Sequence, residues 1–423
     1  MADLSGPTYE EMLHPGKAPA ALRRDALATL GQDELNPIHL FNINWRDEFD
    51  RVRHVVLPQS LTGVDANIIV MLGLHFPSGS HKVGPAYATL MEGELAGEIA
   101  PGRSTIIGPS TGNFGIGVAY IAKLKGYPAV VIMPEQMSAE RYERIRHYGA
   151  SLDLTPGSES DVILVLERTE EYKKDPRNKV LAQFELLPNY RFHRHVTGGS
   201  ALEAAVGHGN GRVAAFVAAP GSAGTLAAGD QIKARFPDAL VCALEPRECS
   251  TLYNNGRGTH RIEGIGDKMV TLIHNVLTTD YVALVHDGDC VRGLKTVQQG
   301  ELAGLFGISG ICNILGSIKM AKHLGLGQDD NIITIATDGF DRYPSVVATV
   351  AGHAPEIFGS VDTSEILEVR SPAEKQRLFR QKEEVWTKFN YSREYLDRMK
   401  SPGFWDAEYA RIPEIDEAWT RRR

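Results

Sequence analysis

Ser104-Thr105-Ile106-Ile107-Gly108-Pro109-Ser110-Thr111-Gly112-Asn113-Phe114-Gly115-Ile116-Gly117 is the stretch that decides the fold. It opens on a short β-branched run suited to a buried strand. It then passes through small residues and enters a helix pattern over residues 116–125 that stops at Gly126. A second apolar run, Ala129-Val130-Val131-Ile132-Met133, follows at once. The same alternation recurs outward. Asn67-Ile68-Ile69-Val70-Met71-Leu72, closed by Gly73, is a strand candidate, as are Ala214-Ala215-Phe216-Val217, Leu240-Val241-Cys242-Ala243-Leu244 and Ile332-Ile333-Thr334-Ile335. Residues 138–148 form a helix pattern with a serine at its start and Gly149 at its end. Continuous apolar strands alternating with helices predict parallel sheets covered on both faces. The chain is expected to be α/β, with two open, twisted, mostly parallel sheets flanked by helices and a site in the cleft between them.

Composition sets the class. The 423 residues are 43% hydrophobic, enough for one large core or two ordinary ones. A net charge of −8 argues against a nucleic-acid backbone or an anionic membrane as partner. Cys242, Cys249, Cys290 and Cys312 show neither a CxxC pair nor a zinc spacing, so ordinary reduced thiols are expected. The N-terminus has no basic stretch followed by an apolar one, and no apolar run approaches the length of a membrane span. A soluble, cytoplasmic protein is the expectation. His193, Arg194 and His195 lack an acidic partner at useful spacing, so no metal is expected there.

Three segments carry candidate chemistry. Lys82, in Ser80-His81-Lys82-Val83-Gly84, follows the small turn Phe76-Pro77-Ser78-Gly79-Ser80 and precedes a helix pattern over residues 86–90. Alone it would read as a solvated loop lysine. Pro109-Ser110-Thr111-Gly112-Asn113 is a strand-to-helix turn, which presents free backbone N–H groups to an anion. Its spacing is not a dinucleotide fingerprint, and no Gly-Lys-Ser/Thr marks a nucleotide loop, so a carboxylate fits. Gly221-Ser222-Ala223-Gly224-Thr225 follows another strand, and its small residues with two hydroxyls are suited to wrapping a phosphate.

A lysine, an asparagine loop and a phosphate-sized glycine loop, in that order, resemble the pyridoxal-phosphate enzymes of the cysteine synthase and tryptophan synthase β-subunit superfamily (fold type II). Met133-Pro134-Glu135-Gln136-Met137-Ser138, Gln183-Phe184, Thr197-Gly198, Gly264-Ile265-Gly266 and Gly307-Ile308-Ser309-Gly310 support the resemblance, which covers roughly residues 55–345. It implies pyridoxal 5'-phosphate in the cleft, with Lys82 as Schiff-base lysine and general base. Ser110, Thr111 and Gly112 would hold the amino-acid carboxylate with help from Gln183, while Gly264 approaches the amine side. Asn113 would contact the cofactor's ring hydroxyl, and Gly221, Ser222, Ala223, Gly224 and Thr225 its phosphate. The pyridine nitrogen would face either Thr337 or Asp338. Counting forward from the strand at Ile332 favours the first, and counting back from Arg342-Tyr343 the second. His81 would tune the lysine or pack, with packing favoured.

The implied division is an N-terminal arm (1–35), a smaller α/β domain (75–185) with Lys82 and the asparagine loop, and a larger one (36–74 plus 186–355) with the phosphate loop. A helical C-terminal extension (356–423), rich in charge and carrying Trp386, Trp405 and Trp419, would pack on the core or a second subunit. The implied activity is β-elimination and β-replacement on an L-serine-type amino acid through an aminoacrylate, with an O-acetyl- or O-phosphoserine-like donor and a small nucleophile. Phe114 stands where cysteine synthases generally have threonine, which keeps open a serine/threonine dehydratase-like reaction releasing a keto acid. A non-catalytic member of the fold would not need Lys82, Asn113 and the glycine loop together. A homodimer, common in the group, is implied.

Overall fold

The computed structural model describes residues 5–110 and 112–423, and Thr111 lies outside the described residues. The strands are β1 (His54–Val56), β2 (Asn67–Leu72), β3 (Thr105–Pro109), β4 (Ala129–Pro134), β5 (Ser151–Thr155), β6 (Asn178–Val180), β7 (Val213–Ala218), β8 (Leu240–Pro246), β9 (Tyr281–Val285), β10 (Asn331–Ala336) and β11 (Ile366–Glu368). Among the described residues they form two sheets. One has the order β1-β2-β10-β7-β8-β9-β11 and the other β5-β4-β3-β6. The smaller sheet is parallel throughout. In the larger one, only the edge strands β1 and β11 run antiparallel to their neighbours.

The β-branched strands sit at the sheet centre because both of their faces are covered. Along β2, Ile68, Val70 and Leu72 face one apolar cluster, and Ile69 and Met71 face another. Ala215 and Val217 of β7 join the first cluster, and Phe216 and Ala218 the second. This is the period-2 alternation of a strand with no solvent side. The helix Ile308–Leu324 lies against the first cluster through Ile311, Ile314, Leu315 and Ile318.

Four segments matter for function, and each leaves the carboxyl end of a parallel strand. The lysine turn follows β2, the asparagine loop follows β3, the glycine loop follows β7, and Thr337 follows β10. That end of an open α/β sheet is where ligands bind. β2, β10 and β7 are neighbours, so three of the four segments converge from one sheet and the fourth arrives from the other.

The ends of the chain are more ordered than an arm and a helical tail. Residues 5–35 include the helix Tyr9–Leu13, docked by Tyr9 Oη to Glu92 (2.6 Å) and by the backbone N–H groups of Tyr9 and Glu10 to the Asp416 carboxylate (2.8 and 2.9 Å). The segment after 356 is mainly helical but supplies β11, so the large sheet continues past residue 355. β11 escapes notice in the sequence because it has only three residues, two half-buried and one exposed, and pairs only along one edge. Trp386, Trp405 and Trp419 are all buried against this same chain; Trp386 donates to the Val270 carbonyl (2.8 Å) and Trp419 to that of Gly6 (2.8 Å).

Candidate active site

Lys82 stands at the start of the helix Val83–Leu95, and its turn is stitched to the end of β10. His81 N–H donates to the Thr337 carbonyl (3.2 Å), and Ser80 pairs with Asp338 as an isolated antiparallel bridge. Gly73 allows the approach, since a Cβ there would meet the Ala336 carbonyl oxygen at 2.8 Å. Gly84 is pressed against the Phe192 ring, leaving no room for a side chain. Lys82 is buried, and burial pulls its amine below the usual lysine range, opposed by the carboxylates of Asp267, Glu159 and Asp338. A lysine in that state has a larger neutral fraction and can act as nucleophile or base.

The loop after β3 is braced from within. Ser110 Oγ accepts the backbone N–H groups of Gly112 (2.9 Å) and Gly115 (2.8 Å), which leaves its own hydroxyl hydrogen to donate. Asn113 Nδ2 donates to Asp338 Oδ2 (2.6 Å), while Asn113 Oδ1 is buried without a hydrogen-bond partner. Gln183 Nε2 donates to the Pro109 carbonyl (3.2 Å), which holds Gln183 under the loop.

The loop after β7 turns through Ala223 at φ +64°, in the left-handed region. Ser222 Oγ accepts from Asn189 Nδ2 (3.0 Å), and Thr271 Oγ1 donates to the Ser222 carbonyl (2.8 Å). His193 approaches from a π-helical turn at His193–Thr197, with its Cδ2 only 2.8 Å from where a Cβ on Gly224 would sit. Trp45 Nε1–H donates to Thr197 Oγ1 (3.1 Å), and the same hydroxyl lies in hydrogen-bond contact with His193 Nδ1 (2.9 Å). The other ring nitrogen, Nε2, is buried with no hydrogen-bond partner. His81 packs between Trp45 and His193, with ring centroids 5.4 and 5.1 Å away. Burial keeps both imidazoles well below the usual histidine range, with help from the Lys82 charge.

One pocket gathers Lys82, Ser110, Gly112, Asn113, Phe114, Gln183, Gly221, Ser222, Gly264, Asp267 and Thr337. Ala223, Gly224 and Thr225 continue the glycine loop and are not part of that lining. Asp338 is not in the pocket wall. It lies fully buried behind Asn113, its Oδ2 also accepting from Tyr343 Oη (2.7 Å), while Arg141 donates to Tyr343 (2.9 Å). Burial raises the Asp338 carboxyl above its usual range, opposed chiefly by Arg342 and Arg141. No group of three or more metal-ligating side chains occurs among the described residues.

Sequence reasoning did not find Asp267 or Asn189, and it weighed His193 only as a metal ligand. Asp267 directly follows Gly264-Ile265-Gly266, and a lone acid after two glycines reads as a turn residue. Across the mouth, loops of the smaller sheet meet loops of the larger. Lys268 pairs with Asp161 (2.7 Å), Ser138 Oγ donates to Glu263 (3.0 Å), and Arg144 pairs with Asp341 (3.1 Å).

The pocket has the features a phosphorylated carbonyl cofactor needs. Asn113 Oδ1 is a buried acceptor without a partner, His193 Nε2 is a buried ring nitrogen without a partner beside the glycine loop, and Lys82 is a desolvated amine in the pocket wall. Comparison with known proteins leads to the same place. The chain is 34% identical over 283 residues to a cysteine synthase of Staphylococcus aureus, which covers 66% of this chain and 88% of that one. A hydrogen sulfide-producing enzyme of Fusobacterium nucleatum superposes with a TM-score of 0.64 at 26% identity, covering 69% of this chain and 95% of that one. An O-acetylserine dependent cystathionine beta-synthase of Helicobacter pylori superposes with a TM-score of 0.63 at 25% identity, covering 69% and 94%. Residues 56–338, from the end of β1 to Asp338, match the family described as pyridoxal-phosphate dependent enzyme, and the chain belongs to that family.

Proposed function

We propose that the protein catalyses pyridoxal-phosphate-dependent β-replacement on an activated L-serine, with an O-acetyl or O-phosphoryl leaving group. The observation that carries the reading is the placement of desolvated Lys82 in one pocket with the Ser110 hydroxyl and Gln183. The likeness to cysteine synthase supports it.

The cofactor supplies a carbonyl for the amino acid's nitrogen and a sink for the electron pair left at Cα. The chain supplies the rest. The free Ser110 hydroxyl hydrogen, the N–H groups at the start of the helix Asn113–Lys125 and Gln183 bind the donor's carboxylate, which sets Cα near Lys82. Lys82 then takes the Cα proton and later returns it. Ser222, Thr225 and His193 Nε2 bind phosphate oxygens, with the backbone of Gly221, Ala223 and Gly224 completing the cradle. Asn113 binds the ring hydroxyl. Thr337, in the pocket wall, serves the ring nitrogen, while Asp338 holds Asn113 in place from behind. A neutral hydroxyl at that nitrogen favours β-elimination over transamination. Phe114 and Phe184 give the pocket two apolar walls, which supports a second reactant over water as the group that completes the turnover.

The test is product analysis with purified protein and O-acetylserine or O-phosphoserine. Release of acetate or phosphate, with a new β-substituted alanine once a thiol is present, is expected. Ammonia and keto acid in stoichiometric yield without a thiol would overturn β-replacement and leave the dehydratase-like reaction. The same reading makes the protein a cytoplasmic homodimer. Its four cysteines are free and buried, as suits a reducing compartment, and sedimentation at a single-chain mass would overturn the dimer.

A further inference from the structure

Asp267 does not belong to the machinery just described. It is 5% exposed, forms part of the pocket wall, and has no hydrogen-bond partner at either carboxylate oxygen. Two glycines in the left-handed region, Gly264 (φ +99°) and Gly266 (φ +77°), bend its loop into the pocket. An unpaired carboxylate in such a place is costly to keep charged. Its neighbours deepen the problem. Lys268, the next residue, is engaged by Asp161 (2.7 Å), and buried Glu159 adds a second negative group close by. Burial and Glu159 together push the Asp267 carboxyl well above its usual range, and the cation opposing them is Lys82.

Lys82 is reserved for the cofactor, so that compensation is lost when the site is loaded. The donor cannot replace it. Its amine is consumed at the cofactor, its carboxylate is bound on the Ser110 side, and its leaving group is neutral or anionic. Of the two reactants, only the second can bring Asp267 a cation.

On the β-replacement reading above, we propose that the second reactant is a thiol or amine carrying an ammonium group, which pairs with Asp267, rather than bare hydrosulfide. For a thiol, the S–Cβ bond forms as the proton that Lys82 took from Cα returns there, the thiol proton passes to solvent, and the leaving group has already departed as acetate or phosphate. No oxidant or reductant is involved.

The experiment measures kcat/KM of the cofactor-loaded enzyme, with saturating O-acetylserine or O-phosphoserine, for four two-carbon thiols. Cysteamine carries the ammonium, N-acetylcysteamine lacks its charge, 2-mercaptoethanol is neutral and thioglycolate is anionic. Cysteamine is expected to exceed N-acetylcysteamine by about ten-fold or more, with thioglycolate poorest. In Asp267→Asn the cysteamine to 2-mercaptoethanol ratio should fall by about ten-fold. Intrinsic thiol acidity cancels in that comparison, because the variant does not alter it. An unmoved ratio, or equal use of cysteamine and N-acetylcysteamine by the unmodified protein, overturns the proposal. The second comparison needs no variant and stands if Asp267→Asn does not fold. Leaving-group release in a single turnover without thiol reports the first half-reaction alone. Its absence sinks the β-replacement reading and this inference with it, whereas its presence with no ammonium preference sinks the inference alone.

Discussion

Residues 56–338 and residues 371–423 are joined to the molecule by different means. The first region is a set of parallel ladders in which backbone groups satisfy one another, with β-branched side chains filling both faces. The second is fastened by side chains that reach backbone carbonyls. Trp386 donates to Val270 (2.8 Å), Lys382 to Leu272 (3.0 Å) and His274 (2.6 Å), and Lys375 to Val276 (2.7 Å). These anchors converge on residues 270–276, just beyond Asp267. A ladder is indifferent to which side chain ionises, while an anchored strap is not. The chemistry is therefore built on the insensitive part, and the loop that presents Asp267 is braced by the sensitive part.

The sharpest separation of the two regions is expected from Lys82→Ala. On the proposed roles of Lys82 as base and covalent attachment point, turnover should fall by about 10³-fold or more, while the unfolding transition of the apoprotein moves little. A large loss of apoprotein stability in this variant would break the distinction. Trp386→Ala should do the reverse and cost about 3–5 kcal/mol in chemical denaturation, because a fully buried indole and its hydrogen bond are removed. A cost under about 1 kcal/mol would mean that the extension is not cooperative with the core.

The smallest effect is a dependence on pH. Burial lowers the Lys382 amine to about 7, against a usual value of 10.5. Between those values the unfolded chain holds a proton that the folded chain lacks. Stability from this group therefore rises with pH across that window, by at most about 1.4 kcal/mol per unit, and is lowest below pH 7. Denaturation midpoints at pH 7.5 and 9 should rise accordingly, and Lys382→Met should flatten the difference. An unchanged slope in the variant would remove Lys382 as its source.

Much of this was legible in the sequence, and the reasons differ by segment. β2, β3, β4, β7, β8 and β10 announce themselves by apolar runs because both of their faces are buried. β5 and β6 do not, since their residues are largely half-buried or exposed and their pattern is that of a polar loop. The choice between Thr337 and Asp338 was undecidable by counting because adjacent residues at a strand end point in different directions. The structure sends Thr337 to the pocket wall and Asp338 behind Asn113. Asp267, and the place of His193 beside the glycine loop, were missed for a different reason. What singles them out is the absence of a partner, and only tertiary packing reveals that.

Gly84 and Phe192 touch so closely that the turn bearing Lys82 and the turn bearing His193 share one beam. On the function proposed above, the lysine nitrogen would hold one end of the cofactor and the imidazole would face the loop for the other, so the pair would act as a fixed caliper set to a single ligand length. Any side chain at position 84 would reset that gauge at both jaws together.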